Sequence, residues 1–321
     1  MLRSHQRFVS RGELNAKTTY TYILCGWHTR SDLPITTVPK IDFRGARADV
    51  LIQIGRGRSP IPETAGSVLF HHSLERSRIR IENVADFEVI MGQQIRIWPA
   101  ARSTQKDIEI FLLGPVWATL CHQRKILPLH ASAILTGGNI TAFAGHPGVG
   151  KSSLAALMSS LDYELFADDI LPISFNQESI PGAWPYLRRL KLKNDCINEL
   201  ALTAIEPVSE TLDKTKYFTL PKFSANDKWR MLDRVYLLEI DPTESHIVID
   251  RLSGADAVRA LVDYTYHFKF VLGSRRFGEH LTFCANLASK VAVYRLRRSS
   301  SLVTRQELGA FVCAHLESKS V

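Results

Sequence analysis

The sequence predicts an α/β fold preceded by a smaller β-rich region, and three observations lead to this class. A glycine-rich loop at residues 145–152 lies between a short apolar segment and an amphipathic helical pattern. A second apolar segment then ends in two aspartates, and strand-like and helix-like segments mix from there onward. Short segments rich in β-branched and aromatic residues fill the first hundred positions, which is typical of strands.

The glycine-rich loop fits the pattern G-x-x-x-x-G-K-[ST] of phosphate-binding loops. Its glycines let successive backbone N–H groups point at a phosphate, and the following helix adds its dipole. Residues 139–144 predict the strand before the loop. An apolar face predicts the helix after it, at Leu154, Leu157, Met158 and Leu161. The residues expected to hold a nucleotide are Gly145, Pro147, Gly148, Val149, Gly150, Lys151, Ser152 and Ser153. In such loops the lysine reaches the β- and γ-phosphates, and the hydroxyl of the serine after it binds Mg²⁺.

Two adjacent carboxylates, Asp168 and Asp169, follow a predicted strand at residues 163–167. The carboxyl ends of strands are where open α/β sheets bind ligands. One carboxylate can hold Mg²⁺ while the other accepts the proton of an attacking hydroxyl. Aspartate also favours turns, but the nearby loop favours a chemical role over a plain turn.

His130 lies in a predicted strand at residues 127–135, which the Gly137-Gly138 turn joins to the strand before the loop. A histidine beside the phosphate site could hydrogen-bond an aspartate and tune its basicity. A histidine among apolar residues is equally compatible with a satisfied core position, so the pattern leaves both interpretations open.

These features, in this order and spacing, resemble the catalytic domain of HPr kinase/phosphorylase over roughly residues 105–300. The resemblance implies a P-loop kinase domain of the HPr kinase and PEP-carboxykinase type, which uses ATP and Mg²⁺ to phosphorylate a serine. It also implies Asp169 as the general base, with His130 as the partner of the aspartates. Asp168 and Ser152 become the metal ligands, and Lys151 acts on the transferring phosphate.

The chain departs from that family in the second signature, which corresponds to residues 186–193. Arg188 matches an arginine of the signature, but Tyr186 replaces a metal-binding glutamate, and Arg189 and Lys191 replace glycines. The departure argues against the HPr protein as substrate. The chain looks more like the HPr-kinase-related proteins of bacterial peptide-modification clusters. Among these are the lasso peptide kinases, which phosphorylate the C-terminal serine of a precursor peptide. The helix-like segment at residues 107–124 also resembles that group.

The formal net charge of +8 suits an anionic partner. Because a kinase needs cations around the transferring phosphoryl group, Arg188, Arg275 and Arg276 are candidate phosphate contacts, with one of the last two expected to make such a contact. The basic run at residues 295–298 is expected to be a solvated face. No signature of nucleic-acid binding is present, so no nucleic-acid partner is expected.

Composition and apolar runs predict a cytoplasmic protein without a membrane partner. The five cysteines are dispersed, odd in number and never spaced C-x-x-C, which is typical of a reducing compartment. No signal peptide is expected, because no apolar core follows the basic residues at the start. The apolar run at residues 108–121 is shorter than a membrane span and is interrupted by Glu109 and Pro115. It predicts a buried helix with a kink at the proline.

Two domains are expected: a β-rich N-terminal domain at residues 1–100 and the kinase-like domain at residues 101–321. Strands are expected in the first domain at residues 19–24, 50–54, 79–84, 87–91 and 94–98. In the second they are expected at 217–220, 235–240 and 246–250, the last two paired across the Asp241-Pro242 turn. Helices are expected from Ser253 to Val262 and at 281–291 and 304–315. The N-terminal domain either braces the kinase domain or docks a peptide.

The predicted activity is transfer of the γ-phosphate of ATP to a serine hydroxyl of a peptide or protein. Three alternatives remain open from the sequence. One is a small-molecule kinase, with free serine as acceptor. Another is an NTP-hydrolysing switch, although such proteins usually place the Mg²⁺-linked aspartate on a more distant strand. The third is a degenerate protein that only binds nucleotide. Because relatives of the family are often oligomers, the resemblance also allows a homo-oligomer.

Overall fold

The structure is a computed structural model, and it describes residues 19–42, 47–62, 68–209, 216–219, 228–299 and 303–318. The chain divides into two compact units. The first comprises residues 1–126, 209–213 and 269–276, and the second comprises residues 127–208, 214–268 and 277–321. The sequence places the division near residue 100. In the structure the helical segment after that point groups with the first unit, and the glycine-rich loop belongs to the second.

The first unit contains a seven-stranded sheet with the order β1-β2-β3-β7-β6-β5-β4 among the described residues. Its strands are β1 (Tyr20–Leu24), β2 (Trp27–Ser31), β3 (Val50–Ile54), β4 (Val68–His71), β5 (Arg76–Ile81), β6 (Ala85–Ile90) and β7 (Gln94–Pro99). The five expected strands are confirmed to within a few residues. The sequence misses β2, because polar side chains interrupt the apolar pattern in Trp27–Ser31. It also misses β4, because the 4 residues of Val68–His71 are too few to show an alternating pattern.

The helices of the described residues are α1 (Gln105–Phe111), α2 (Trp117–Gln123), α3 (Lys151–Ser160), α4 (Asn194–Glu199), α5 (Gly254–Asp263), α6 (Lys269–Gly273), α7 (Phe277–Ala288) and α8 (Arg305–Ser318). Between α1 and α2 the residues Leu112–Val116 form a π-helical segment. Gly114 departs from helical geometry there, with φ −104° and ψ −109°, next to Pro115. The expected buried and kinked helix is confirmed, since a proline ring prevents a regular helix at this point. No helix among the described residues is long and apolar enough to cross a membrane.

The second unit is a mixed α/β structure, which confirms the predicted fold class at that level. Its larger sheet follows the order β11-β9-β10-β17-β13-β12-β8, and β19 pairs with both β17 and β18. The strands are β8 (Leu127–Leu129), β9 (Ala131–Thr136), β10 (Asn139–Ala144), β11 (Glu164–Ala167), β12 (Leu171–Phe175), β13 (Pro181–Ala183), β17 (Arg230–Ile240), β18 (Val248–Leu252) and β19 (Ala292–Arg298). A smaller sheet has the order β14-β16-β15, with β14 (Leu190–Lys193), β15 (Glu206–Pro207) and β16 (Lys216–Thr219). Leu220, which the sequence assigns to a strand, lies outside the described residues.

The predicted hairpin between residues 235–240 and 246–250 is wrong. β17 instead pairs in parallel with β19, and β18 pairs antiparallel with the other side of β19. A strand from much later in the chain therefore lies between the two expected partners. Parallel neighbours need a long crossover connection, and local turn signals do not reveal one. The basic run at residues 295–298 belongs to this inserted strand.

The core beneath the loop forms where α3 and α8 pack against the sheet. Leu154 and Met158 on α3 are buried together with Phe143 and Tyr236 of the sheet and Val312 of α8. Burying side chains of this size contributes about 1.5–3 kcal/mol each to folding. The loop at the start of α3 is therefore held on a rigid base.

Candidate functional site

The chemistry-bearing residues of the second unit meet at one edge of its larger sheet. β10 and β11 both run antiparallel to β9, which lies between them, so their carboxyl ends share an edge. β17 and β19 run parallel to β10 and end at that same edge, whereas β9 begins there. The topology thus brings together the loop after β10, the aspartates after β11, His130 before β9, and Arg298 at the end of β19.

Two glycines of the loop fit where another residue would not. A Cβ at Gly145 would lie 2.8 Å from the backbone oxygen of Leu238 and 2.8 Å from a methyl group of Val149. Gly150, directly before α3, has φ +105°, a conformation that residues with a side chain rarely adopt. Leu154 and Met158 face the core as predicted, but Leu161 is 48% exposed because α3 ends at Ser160.

The side chain of Lys151 folds back into the loop. Its ammonium donates hydrogen bonds to the carbonyl oxygens of Gly145 at 2.8 Å and His146 at 3.1 Å. The residue is only 6% exposed, and this burial lowers the pKa of the ammonium, although Asp169 and Asp168 oppose the effect. A cation is therefore held against the backbone of the loop, and its contact with phosphates stays a prediction.

Asp168 is buried and bound by hydroxyl groups. Its Oδ1 accepts hydrogen bonds from Ser132 at 2.6 Å and from Ser152 at 2.9 Å. The backbone N–H of Lys191 donates to Oδ2 at 3.3 Å. Burial raises the pKa of Asp168, and the hydrogen bonds from the two serines act in the opposite direction. The carboxylate is fixed in place beside the residue that follows the loop lysine.

Asp169 occupies a different environment from its neighbour. Its backbone adopts the left-handed conformation at φ +71°, which turns the side chain toward the site, and 25% of that side chain is exposed. The ammonium of Lys191 donates to Oδ2 at 3.0 Å, and Nε2 of His130 lies 3.7 Å from Oδ1. Burial alone would raise the pKa of Asp169, but Lys191 and then His130 outweigh it and lower the pKa. Asp169 is thus an ionised carboxylate that remains accessible.

His130 sits at the break between β8 and β9, because β8 pairs with β12 whereas β9 pairs with β10 and β11. Its N–H donates to the carbonyl of Tyr264 at 2.9 Å, and its ring lies edge-on to Tyr266 with centroids 5.1 Å apart. Burial, followed by the charge of Lys151, lowers the pKa of His130 to about 4. The imidazole is neutral near pH 7, and 3.7 Å is longer than a hydrogen bond to Asp169.

The residues expected to hold Mg²⁺ offer oxygen atoms as ligands. No group of three or more His, Cys, Asp or Glu side chains able to hold a metal ion occurs in the part of the chain that the structure describes. The hydroxyl of Ser152 and the carboxylate of Asp168 instead place two hard oxygen atoms 2.9 Å apart. Magnesium is typically held by one or two carboxylates together with substrate phosphates, so this pair of oxygen atoms beside the glycine-rich loop suits it.

Arg298 is an additional cation at the loop, one that the sequence assigns to a solvated face. That assignment is wrong for this residue: the side chain is half-buried, and its guanidinium donates to the carbonyls of Val149 at 3.2 Å and Ser299 at 3.1 Å. Burial lowers its pKa. The strand register explains the error, because β19 lies inside the sheet and ends beside the loop.

The three arginines expected at phosphates have different surroundings. Arg188 is half-buried and precedes β14 in the second unit. Arg275 and Arg276 belong to the first unit, where Arg276 donates to the carbonyl of His122 at 3.2 Å and Arg275 is exposed. Phosphate contacts of these residues stay predictions.

Sequence reasoning missed two partners of the aspartates, Ser132 and Lys191. Ser132 lies two positions after His130, so the spacing H-x-S could have indicated it. In the sequence Lys191 stands out only as a replacement for a glycine, and no local pattern predicts that its ammonium reaches Asp169, 22 positions away.

Comparison with known proteins adds a weak likeness in structure. No family model matches the chain, and no curated protein matches it. Among the solved structures that match is the Hpr(Ser) kinase/phosphatase from Coxiella burnetii. It is 8% identical, the match covers 60% of this chain and 91% of that chain, and the TM-score is 0.31. A likeness this low carries no argument about the chemistry, which rests on the side chains described above.

Proposed function

We propose that this chain is an ATP-dependent kinase that transfers the γ-phosphate to a serine hydroxyl of a peptide or protein. The observation that carries the proposal is the contrast between two adjacent carboxylates. Asp168 is buried and held by the serine that follows Lys151, whereas Asp169 is ionised and accessible. A kinase needs this pair of roles, one carboxylate for the metal and one for the acceptor hydroxyl.

In the proposed reaction the loop backbone and Lys151 bind the β- and γ-phosphates. Ser152 and Asp168 are the residues that would hold Mg²⁺, which neutralises charge on the phosphates when bound. The serine oxygen forms the new bond to phosphorus while the bond from that phosphorus to the β-phosphate oxygen breaks. Asp169 takes the proton of the serine hydroxyl. Positioning and electrostatic stabilisation supply most of the rate in such transfers.

The narrower acceptor that we propose is the C-terminal serine of a precursor peptide, as in lasso peptide kinases. Support for it comes from the altered second signature, where Tyr186, Arg189 and Lys191 replace residues of the HPr kinases. In the structure Lys191 of that segment contacts Asp169 directly. The residue that contacts the proposed base, Lys191, is thus one that differs from the family pattern.

The test is transfer of label from γ-labelled Mg·ATP to three acceptors: a peptide ending in serine, an HPr-like carrier protein and free serine. Asp169→Asn is the inactive control, because asparagine tolerates the left-handed backbone found at this position. Asp256→Asn, an exposed position on α5, is the matched control for loss of a carboxylate.

We expect Asp169→Asn to lower transfer by about a thousandfold while nucleotide binding is retained. Lys151→Ala should weaken both binding and transfer. Release of phosphate to water with no labelled acceptor would favour an NTP-hydrolysing switch, and labelling of free serine alone would favour a small-molecule kinase. An Asp169→Asn protein with an undiminished rate would reject the proposed base.

A further inference from the structure

One face of the sheet in the first unit carries three arginines that the proposed reaction does not use. Along β5 the side chains of Ser77 and Ile79 are buried on one side of the sheet. Because side chains alternate along a strand, Arg76 and Arg78 lie on the other side, where they are 51% and 36% exposed. Arg96 on β7 stands between two buried neighbours and is 43% exposed. We call Arg76, Arg78 and Arg96 the arginine face.

The three arginines share one carboxylate, that of Glu88 on β6. In the antiparallel pairings Glu88 lies directly opposite Arg78 on one side and Arg96 on the other. Its carboxylate is 3.5, 3.3 and 4.0 Å from the guanidinium groups of Arg76, Arg78 and Arg96, and its side chain is only 2% exposed. Glu88 is the one carboxylate that contacts any of these arginines within the described residues. Three cations against one anion leave a surplus of positive charge on this face.

Arg80, the next residue of β5 on the same side of the sheet, shows a different arrangement. It donates two hydrogen bonds of 2.7 Å to the two carboxylate oxygens of Asp86, and it also donates to the carbonyls of Ile61 and Pro62. The contacts with Glu88 are longer, and they divide one carboxylate, with about four acceptor sites, among three groups of several donors each. The arginine face therefore has donors left for a further anion.

The spacing of the arginine face matches an extended polypeptide with acidic side chains at alternate positions. Arg76 and Arg78 are separated by about 7 Å along their strand, and carboxylates two residues apart in an extended peptide have the same separation. Binding of single-stranded nucleic acid uses aromatic rings on which bases stack. The aromatic residue on this side of β5, β6 and β7 is Trp98, and its ring covers Gly55, where a Cβ would lie 2.1 Å from it. The face thus favours a peptide over a nucleic acid.

We propose that the arginine face binds an acidic, extended segment of a partner polypeptide. Guanidinium groups bind carboxylates through paired hydrogen bonds, and complementary charge selects an acidic partner over a neutral or basic one. A second copy of this chain is a poor occupant, because the net charge of +8 makes two copies repel each other. The inference does not depend on the proposed kinase function, since binding at this face needs no nucleotide.

The experiment measures equilibrium binding to the full chain by fluorescence anisotropy at low salt. Three labelled peptides of equal length contain three glutamates at alternate positions, three consecutive glutamates, or glutamines in place of the alternating glutamates. The test variant is the double substitution Arg76→Gln and Arg78→Gln, which leaves Arg96 beside Glu88. The matched control is Arg56→Gln with Arg58→Gln, because these arginines have the same spacing and are exposed in the segment that follows β3.

We expect the unchanged protein and the control variant to bind the alternating glutamate peptide about tenfold more tightly than the glutamine peptide. High salt should remove this preference, because the contacts are exposed. The test variant should bind both peptides alike. Glu88→Gln should bind the alternating glutamate peptide about threefold more tightly than the unchanged protein does, since the competing carboxylate is gone. A folding defect would not produce these opposite changes.

Equal binding of the glutamate and glutamine peptides by the unchanged protein would overturn the inference. Equal binding of the alternating and consecutive glutamate peptides would overturn the proposed fit to an extended segment. A preference that survives in the test variant would place the binding elsewhere on the chain. A labelled single-stranded oligonucleotide of the same charge is the remaining comparison. Tighter binding of the oligonucleotide, lost in the test variant, would assign the face to nucleic acid and reject the peptide.

Discussion

The ammonium of Lys191 lies 3.0 Å from Oδ2 of Asp169, and the backbone N–H of the same lysine donates to Asp168. One residue therefore contacts both carboxylates of the proposed site, through different atoms. The contact with Asp169 involves charge and lowers its pKa, whereas the contact with Asp168 involves only the main chain. Substitution of Lys191 consequently tests the proposed base separately from the proposed metal ligand.

The first prediction concerns the pH dependence of transfer. Lys191→Met removes the cation that lowers the pKa of Asp169, so that pKa should rise toward the value favoured by burial. Because the proposed base works only when ionised, the acid limb of the kcat profile should move to higher pH. Lys191→Arg keeps the charge and should leave the limb close to its original position. An identical profile for all three proteins would contradict the role given to this ion pair.

A second prediction concerns the serine hydroxyl on Asp168. Ser132→Ala leaves a buried carboxylate with one donor fewer, which should lower the free energy of unfolding by about 1–3 kcal/mol. The Mg²⁺ concentration for half-maximal activity should rise as well, because the pKa of Asp168 loses a lowering contribution. Chemical denaturation and magnesium titration measure the two effects.

Ser159 provides the comparison for that variant. It is also a buried serine, and its hydroxyl has no hydrogen-bond partner among the described residues. Ser159→Ala should be close to neutral in stability and in magnesium dependence. Equal destabilisation by both substitutions would show that the hydrogen bond from Ser132 to Asp168 adds no stability beyond that of a buried hydroxyl.

The third prediction concerns the cation at the end of β19. Arg298→Met removes the donors to the carbonyls of Val149 and Ser299, so the loop loses a contact from outside its own segment. Nucleotide affinity should fall by about tenfold, since a loop that must be ordered on binding binds more weakly. Arg295→Met on the same strand removes the contact with Glu239 at 3.3 Å, which does not involve the loop, and should have little effect. Isothermal titration with the imido analogue of ATP compares the two, and equal affinities would rule out bracing of the loop by Arg298.

A fourth prediction concerns stability in acid. Burial lowers the pKa of His280 from 6.5 to about 4, and its Nε2 lies 3.1 Å from the hydroxyl of Thr265. The unfolded chain binds a proton at this imidazole below pH 6.5, whereas the folded chain does so only near pH 4. The free energy of unfolding should therefore fall by on the order of 3 kcal/mol for this group as the pH drops from about 6.5 to 4, and then level off.

Urea denaturation across that pH range measures the effect. His280→Gln should reduce the slope of the unfolding free energy against pH by the equivalent of about one proton. His246→Gln controls for loss of an imidazole at an exposed position. His130 has a similarly low pKa and should contribute in the same window. A slope that His280→Gln does not change would contradict a neutral, half-buried imidazole at this position.

The features that the sequence predicts correctly are local ones. The loop, α3, the strand before the aspartates and the kink at Pro115 each depend on residues within one short segment. Residues whose surroundings depend on contacts across the sheet are not predicted correctly. Arg298 needs β19 to lie between β17 and β18, and no spacing within residues 230–252 indicates that strand.

His130 illustrates the limit within the site itself. The sequence leaves open whether it is a core residue or a partner of the aspartates, and the structure gives it properties of both. It lies 3.7 Å from Asp169, yet burial and the charge of Lys151 keep it neutral. A protonation state depends on surroundings drawn from distant segments, so one strand of sequence cannot provide it.

The contact between Arg298 and Val149 joins residues 149 positions apart and has a consequence for synthesis. The ribosome makes the loop, α3 and both aspartates long before it makes β19. Until then β17 lacks its parallel neighbour and the loop lacks its outer support, and long-range pairings of this kind form slowly. The nascent chain thus carries the full glycine-rich loop before the strand that supports it exists, and we expect the loop to bind nucleotide tightly only after β19 has paired with β17.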